Sequence, residues 1–204
     1  MKKILLVLLL SLFTFTFSSC KKYTEEVIYT RRNIAGGPSY IVSGSKFEDI
    51  TLVSGVIVIL DIHNDLPVAR IDDYGFMNAV SLESVKIPDT VWNIGTRAFY
   101  NSFLKQCIIP EDSSLNTIDS EAFAYTFVEK IYLPNELYEI GNNAFAFTRL
   151  EEVFIPKSVK RMGEDVFLGV RGLTIHIEEG TDMSRWHEDW NSDGHEVILE
   201  ATRQ

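Results

Sequence analysis

The chain has 204 residues, 46% of them hydrophobic and 24% charged, with 29 acidic side chains against 19 basic ones and a formal net charge of -10. A surface that acidic repels phosphate backbones, and no basic cluster interrupts it, which speaks against a nucleic-acid partner. Two cysteines cannot build a disulfide framework, so stability has to come from burial, for which 13 phenylalanines are ample.

At the start of the chain, Lys2 and Lys3 precede an apolar run from Ile4 to Phe17 that ends in Ser18, Ser19 and Cys20. This is the pattern of an export signal over residues 1–19, because the run falls short of the roughly 20 residues that a bilayer-spanning helix needs. Small residues directly before Cys20 resemble the bacterial lipobox, in which cleavage ahead of the cysteine leaves its thiol to take a diacylglycerol. Phe17 stands where a leucine is usual, and the competing reading is an ordinary secretory signal that contains a cysteine. With Cys20 as lipid anchor, Cys107 has no partner and no disulfide forms. Cleavage would remove Lys2 and Lys3 from the 19 basic residues and none of the 29 acidic ones, moving the net charge from -10 to -12. Residues 20–37, with KKYTEE near their start and AGGP at their end, predict a polar tether. Residues 38–80 predict an N-terminal cap and a degenerate repeat, the Gly-spaced Val and Ile runs of 38–58 suggesting a small β cap.

From residue 81 to 177 one apolar template recurs. It starts at Leu82, Leu104, Val128 and Leu150, at spacings of 22, 24 and 22 residues. The first copy places Leu82, Val85, Ile87, Pro88, Val91, Ile94, Gly95, Ala98 and Phe99. The third repeats this as Val128, Ile131, Leu133, Pro134, Leu137, Ile140, Gly141, Ala144 and Phe145. The second copy carries two extra residues between Pro110 and Leu115, and Asp119 takes the glycine position. Upstream, Val68, Ile71 and Phe76 fit the back half of the template, with Asp65 at the proline position; downstream, Ile175 and Ile177 fit its strand. Alternating Val85 and Ile87 predict a short strand with one buried face, which Pro88 ends by removing a donor. Gly95 permits a turn, and Ala98-Phe99 suits a single helical or 3₁₀ turn that drops a ring into the core. One such unit cannot repay its own conformational entropy, so the units must stack.

The succession I-P, V-x-x-I-G, A-F resembles the BspA-type leucine-rich repeats of bacterial surface proteins, over about 120 of the 204 residues. The resemblance implies a β-rich α/β repeat solenoid, a short right-handed leucine-rich-repeat stack with N- and C-terminal caps. Residues 178–204, with Trp186 and Trp190-Asn191 and a terminal strand at Val197 to Leu199, resemble the family's C-terminal cap. A Bacteroidetes-like surface lipoprotein is implied, anchored in the outer membrane of a Gram-negative cell and facing outward. It would be non-catalytic, need no cofactor, touch the membrane through its anchor alone, and bind a protein or glycan; the alternative is a scaffold subunit of an envelope complex.

Outward strand positions build a column of Lys86, Ile108, Tyr132, Phe154 and His176 on the expected concave face, an apolar and aromatic stripe of the kind that marks binding surfaces. A polar margin runs beside it through Ser84, Gln106, Lys130, Glu152 and Thr174. The competing reading is that cross-strand aromatic pairs simply stabilise the sheet. Near the C-terminus, Asp189, Asn191, Asp193, Gly194 and Glu200 fit the spacing of a calcium loop. Glu196 stands where such a loop has an apolar residue, and the same stretch fits a cap turn followed by a strand. His187, Glu188, Asp189 and His195 share no metal-binding spacing. No nucleophile elbow, phosphate-binding glycine loop or C-x-x-C is present in the sequence. Cys107 falls on a buried strand position and reads as a small core hydrophobe.

Overall fold

The computed structural model describes residues 27–34, 37–45 and 54–201. The export signal, Cys20 and residues 20–26 lie outside the described residues. The rest of the expected tether does not stay a coil: β1 (Val27–Ile34) pairs antiparallel with β2 (Gly37–Ser45). Val27, Ile41 and Val42 supply the reason, since they are buried and a polar spacer would leave them wet. β2 in turn pairs parallel with the first complete rung.

That rung holds β3 (Ser54–Val58), β4 (Ile62–His63) and β5 (Leu66–Ile71). Ile57 and Val58 lie opposite Val85 and Lys86, which puts Leu60 at the proline position. Asp65 instead sits with Asn64 in the tight turn between β4 and β5, both at positive φ, where short polar side chains are tolerated. The following rungs carry β6 (Ser81–Lys86) and β7 (Asn93–Ile94), β8 (Gln106–Ile108) and β9 (Thr117–Ile118), β10 (Glu139–Ile140), β11 (Glu152–Ile155) and β12 (Arg161–Met162), then β13 (Thr174–Glu178) and β14 (Glu196–Glu200).

These elements stack into a strand-rich solenoid. Its first face runs from β3 through β6 and β8 to β11, β13 and β14, all parallel, with single bridges at Lys130 joining the two halves. Val85 lies opposite Cys107, Val153 opposite Ile175, and Ile131 is carried between them by those bridges, so the inward row is continuous. The second face is a parallel ladder in which Ile71, Ile94, Ile118, Ile140 and Met162 follow one another in register.

The third face departs from expectation, for no helix occurs among the described residues. Arg97 and Asn101 have φ of 54° and 53°, as do their counterparts Glu121 and Tyr125 at 55° and 59°. Alternate amides leave the rung: Phe99 N donates to Ala122 O at 2.8 Å and Phe123 N to Ala144 O at 2.9 Å. Between them, Ala98 N donates back to Gly95 O and Tyr100 N to Arg97 O. Every second donor is thus committed to the next rung, and a helix, which needs consecutive donors within its own segment, cannot accumulate. The α/β description is therefore corrected to a stack of strands and left-handed-kinked turns.

Inside the turns, Phe76, Phe99, Phe123, Phe145 and Phe167 are buried and stacked, their centroids 5.4, 5.3, 5.4 and 5.8 Å apart. The template glycine serves this spacing instead of a turn. A Cβ on Gly141 would stand 2.5 Å from Ser120 N, and one on Gly95 2.7 Å from Asp73 N. At the C-terminal end, Trp186 bridges to Met162 and its indole donates to Val159 O at 3.3 Å, with Trp190 edge-on at 5.1 Å.

Two stability outcomes follow. Phe123→Ala opens a cavity between two stacked rings and is expected to cost about 3–5 kcal/mol in denaturant unfolding. Gly141→Ala forces two rungs apart and is expected to cost at least about 1–3 kcal/mol by the same measurement.

Candidate functional site

The expected outward column forms on the first face. Lys86 pairs in register with Ile108 and Phe154 with His176, and the Gln106–Lys130–Glu152 bridges seat Tyr132 between them. Tyr132 is 53% and Ile108 41% exposed. Phe154, expected to be exposed, is half-buried. It lines a recess of about 210 Å³, with Lys130, Tyr132 and Glu152 towards one side and His176 and Glu200 towards the other. That volume is below the ~300 Å³ at which drug-sized sites begin, so the recess suits one side chain or one ring.

Polar side chains are arranged around the recess in cross-rung pairs. Lys130 Nζ donates to Glu152 Oε1 at 2.5 Å and lies 5.6 Å from the Tyr132 ring centroid. The hydrogen bond and charge of Glu152 hold the Lys130 ammonium above its ordinary pKa, and those of Lys130 hold the Glu152 carboxyl below its own. On the far side His176 Nδ1 meets Glu200 Oε1 at 2.8 Å. The polar margin is likewise in register, Ser84 opposite Gln106 and Glu152 opposite Thr174, with Ser84 Oγ 3.5 Å from Gln106 Oε1.

Two residues of this face escaped sequence reasoning. Ile198 continues the column beyond His176, and Glu200 closes the recess, because β14 pairs parallel with β13 in register. The signal was there: Ile198 follows His176 by the same 22 residues that separate the repeats. A strand assigned to a cap hid it.

The calcium-loop residues lie in a turn and in the strand that follows it. Asn191 Oδ1 accepts from His195 N at 3.0 Å and its amide donates to His195 O, while Asp193 Oδ2 accepts from Gly169 N at 2.7 Å. Glu200 is drawn instead to His176, and Asp189 lends its carbonyl to Asp165 N. These carboxyls do not converge, and no group of three or more His, Cys, Asp or Glu placed to hold a metal ion occurs among the described residues. His187 and His195 are separately engaged, His187 Nδ1 with Asp189 N and His195 Nε2 with Phe167 O. Cys107 is buried on the inward row, and burial pushes its thiol far above the ordinary value, away from nucleophilic reactivity.

Comparison with known proteins fits this geometry. The BspA type leucine-rich-repeat region matches residues 57–174 in 6 copies. The chain belongs to the BspA-type leucine-rich-repeat family. Among solved structures, a leucine-rich-repeat protein of T. pallidum aligns with a TM-score of 0.63 at 25% identity, covering 72% of this chain and 68% of that one. A leucine-rich-repeat protein of Bacteroides ovatus aligns at 0.64 and 28% identity, covering 74% of this chain and 39% of the other. The pneumococcal vaccine antigen PcpA shares the fold, with a TM-score of 0.55 at 23% identity over 76% of this chain and 49% of its own. The BspA-type chain thus spans well under half of the B. ovatus protein and about half of PcpA. No curated protein matches it.

The charge pair gives a pH outcome. Because the Glu152 pKa is lowered in the fold, the contribution of the pair is present above the unfolded carboxyl value of about 4.3 and is lost as pH falls through the lower folded value. Carboxyl-carbon NMR is expected to place the Glu152 midpoint below that of an ordinary glutamate, and Lys130→Met to return it to the ordinary range.

Proposed function

We propose that this protein is an exported, lipid-anchored surface protein that binds a protein or glycan ligand through the first face of its solenoid and performs no chemistry. Several features support the reading. Leucine-rich-repeat solenoids are binding scaffolds that present one ribbon of side chains from parallel strands. The signal-like residues 1–19 ending at Cys20 support export and anchoring to the outer membrane at the cell surface, where two acyl-type chains suffice for stable attachment.

The observation that carries the proposal is the pairing of exposed Tyr132 and Ile108 with a side-chain-sized recess floored by Phe154 and walled by the Lys130–Glu152 ion pair and by Glu200 hydrogen-bonded to His176. Apolar area with a polar, partly charged rim is the composition of an interaction hot spot. The candidate contact residues are Lys86, Gln106, Ile108, Lys130, Tyr132, Glu152, Phe154 and His176, now joined by Glu200.

The test is a soluble 21–204 protein probed against arrays of purified glycans and extracellular-matrix proteins. Tyr132→Ser is expected to weaken capture of the best ligand by at least about tenfold. It should leave the melting temperature nearly unchanged, because a surface substitution usually stays within about 0.5 kcal/mol. Undiminished capture by Tyr132→Ser, with envelope proteins retained equally by both forms, would instead favour a scaffold role for another face.

A further inference from the structure

The first face ends, among the described residues, on a strand that is paired on one side only. β14 joins β13 through Thr174 to Glu178, and no described strand lies beyond it. Its sequence is Glu196-Val197-Ile198-Leu199-Glu200. Val197 and Leu199 stand opposite Ile175 and Ile177, which are fully buried, and so continue the inward core row. Yet Val197 is 41% and Leu199 65% exposed. The core row therefore runs one rung past its cover, leaving an apolar shelf beside an open edge. Natural edges are usually blunted by charged side chains, lysine above all, by proline or by a bulge. β14 has no lysine, proline or bulge, and its charges, Glu196 and Glu200, are both acidic, which repels another acidic strand but not a basic one.

The chemistry of the edge selects its occupant. Glu196, Ile198 and Glu200 share the outward side, Glu200 with one carboxylate oxygen on His176 Nδ1, and Glu179 lies where the chain leaves β13, its amide bonded to Glu200 O at 2.6 Å. Both ends of the strand are therefore acidic. A second copy fits poorly, because antiparallel pairing of two such strands about Ile198 would set Glu196 of one copy against Glu200 of the other, and directly opposed like charges destabilise a ladder. An added strand of opposite charge meets no such obstacle.

We propose that β14 is a strand-addition site for an extended segment of another protein, read as basic–apolar–any–apolar–basic. In that register the two apolar side chains cover Val197 and Leu199, the flanking lysines or arginines face Glu196 and Glu200, and the central residue lies beside Ile198. Main-chain hydrogen bonds supply affinity and the alternate side chains specificity, the mode by which sheets accept peptide strands. Since the pattern is symmetric, either strand direction satisfies it. The site shares Glu200 with the Tyr132 face but differs in kind, being carried by a backbone edge, and it stands whether or not that face binds a ligand.

The test uses the 21–204 protein and short fluorescent peptides with Lys-Val-Thr-Val-Lys at their centre, read by anisotropy. Saturable binding is expected, at least about tenfold weaker for the Glu-Val-Thr-Val-Glu peptide and for a peptide with proline in place of threonine, since proline removes a donor. Leu199→Lys is expected to weaken binding similarly while leaving the melting temperature unchanged, and Tyr132→Ser to leave the peptide affinity as it was. A scrambled peptide of the same composition that binds as tightly would reduce the effect to general attraction by an acidic protein and overturn the proposal. So would an affinity indifferent to Leu199→Lys, or sedimentation showing a dimer that this substitution dissolves.

Discussion

When Phe99 N reaches Ala122 O at 2.8 Å, and Phe123 N reaches Ala144 O at 2.9 Å, hydrogen-bond length fixes the distance between neighbouring rungs on the turn face. The parallel ladders impose the same spacing on the other two faces. The phenylalanine stack, at 5.3 to 5.8 Å between centroids, then follows from the backbone instead of setting it. So does the glycine at the second corner, where a Cβ would meet the preceding rung at 2.5 Å. A solenoid bonded rung to rung on three sides gives each residue of one rung a fixed neighbour on the next. That is why ion pairs such as Lys130–Glu152, Lys105–Glu83 and Arg97–Glu121 recur between positions one repeat apart.

The same constraint explains what the sequence made legible. Val85, Ile87, Ile94 and Phe99 recur at fixed offsets because each must fall on its counterpart, so the inward rows and the outward column could be read from spacing alone. The turn conformation could not. Its left-handed positions are held by Tyr74, Arg97, Glu121, Asn143 and Asp165 in successive rungs, with no shared residue type to announce them. Cross-rung hydrogen bonds impose the left-handed backbone on whatever side chain is there, at a cost of about 1–2 kcal/mol each that the ladder offsets. Asp65 was misplaced for a related reason: a short β4–β5 hairpin is inserted after Leu60, and an insertion breaks the periodic argument at the point where it enters.

The N-terminal segment shows burial overriding composition. Thr30, Arg31, Arg32 and Asn33 make the region read as a polar spacer, yet Val27 and Tyr29 pack against the core, and Tyr29 stacks on His63 with centroids 4.4 Å apart. Its hydroxyl accepts from Leu60 N at 3.1 Å, and burial holds the phenol above its ordinary pKa. Two strands therefore extend the second face at this end, whereas at the other end it is the first face that extends, through β14. The two faces are staggered along the stack, and the apolar row left half covered at Val197 and Leu199 is a consequence of that stagger.

Proximity places that open row next to the recess, since Glu200, which lines the recess, ends the same strand. The groups that shift around the recess do so by meeting opposite charge: Lys130 and Glu152 hold each other ionised across the neutral range. General acid–base chemistry calls for the reverse, a group drawn towards neutrality by burial or like charge. Among the described residues the strongly displaced group of that kind is Cys107, and it faces inward, with its thiol kept protonated. Held ionised in this way, Lys130 and Glu152 form a persistent pair of charges beside the half-buried Phe154 ring, a pair not poised to exchange a proton near neutral pH.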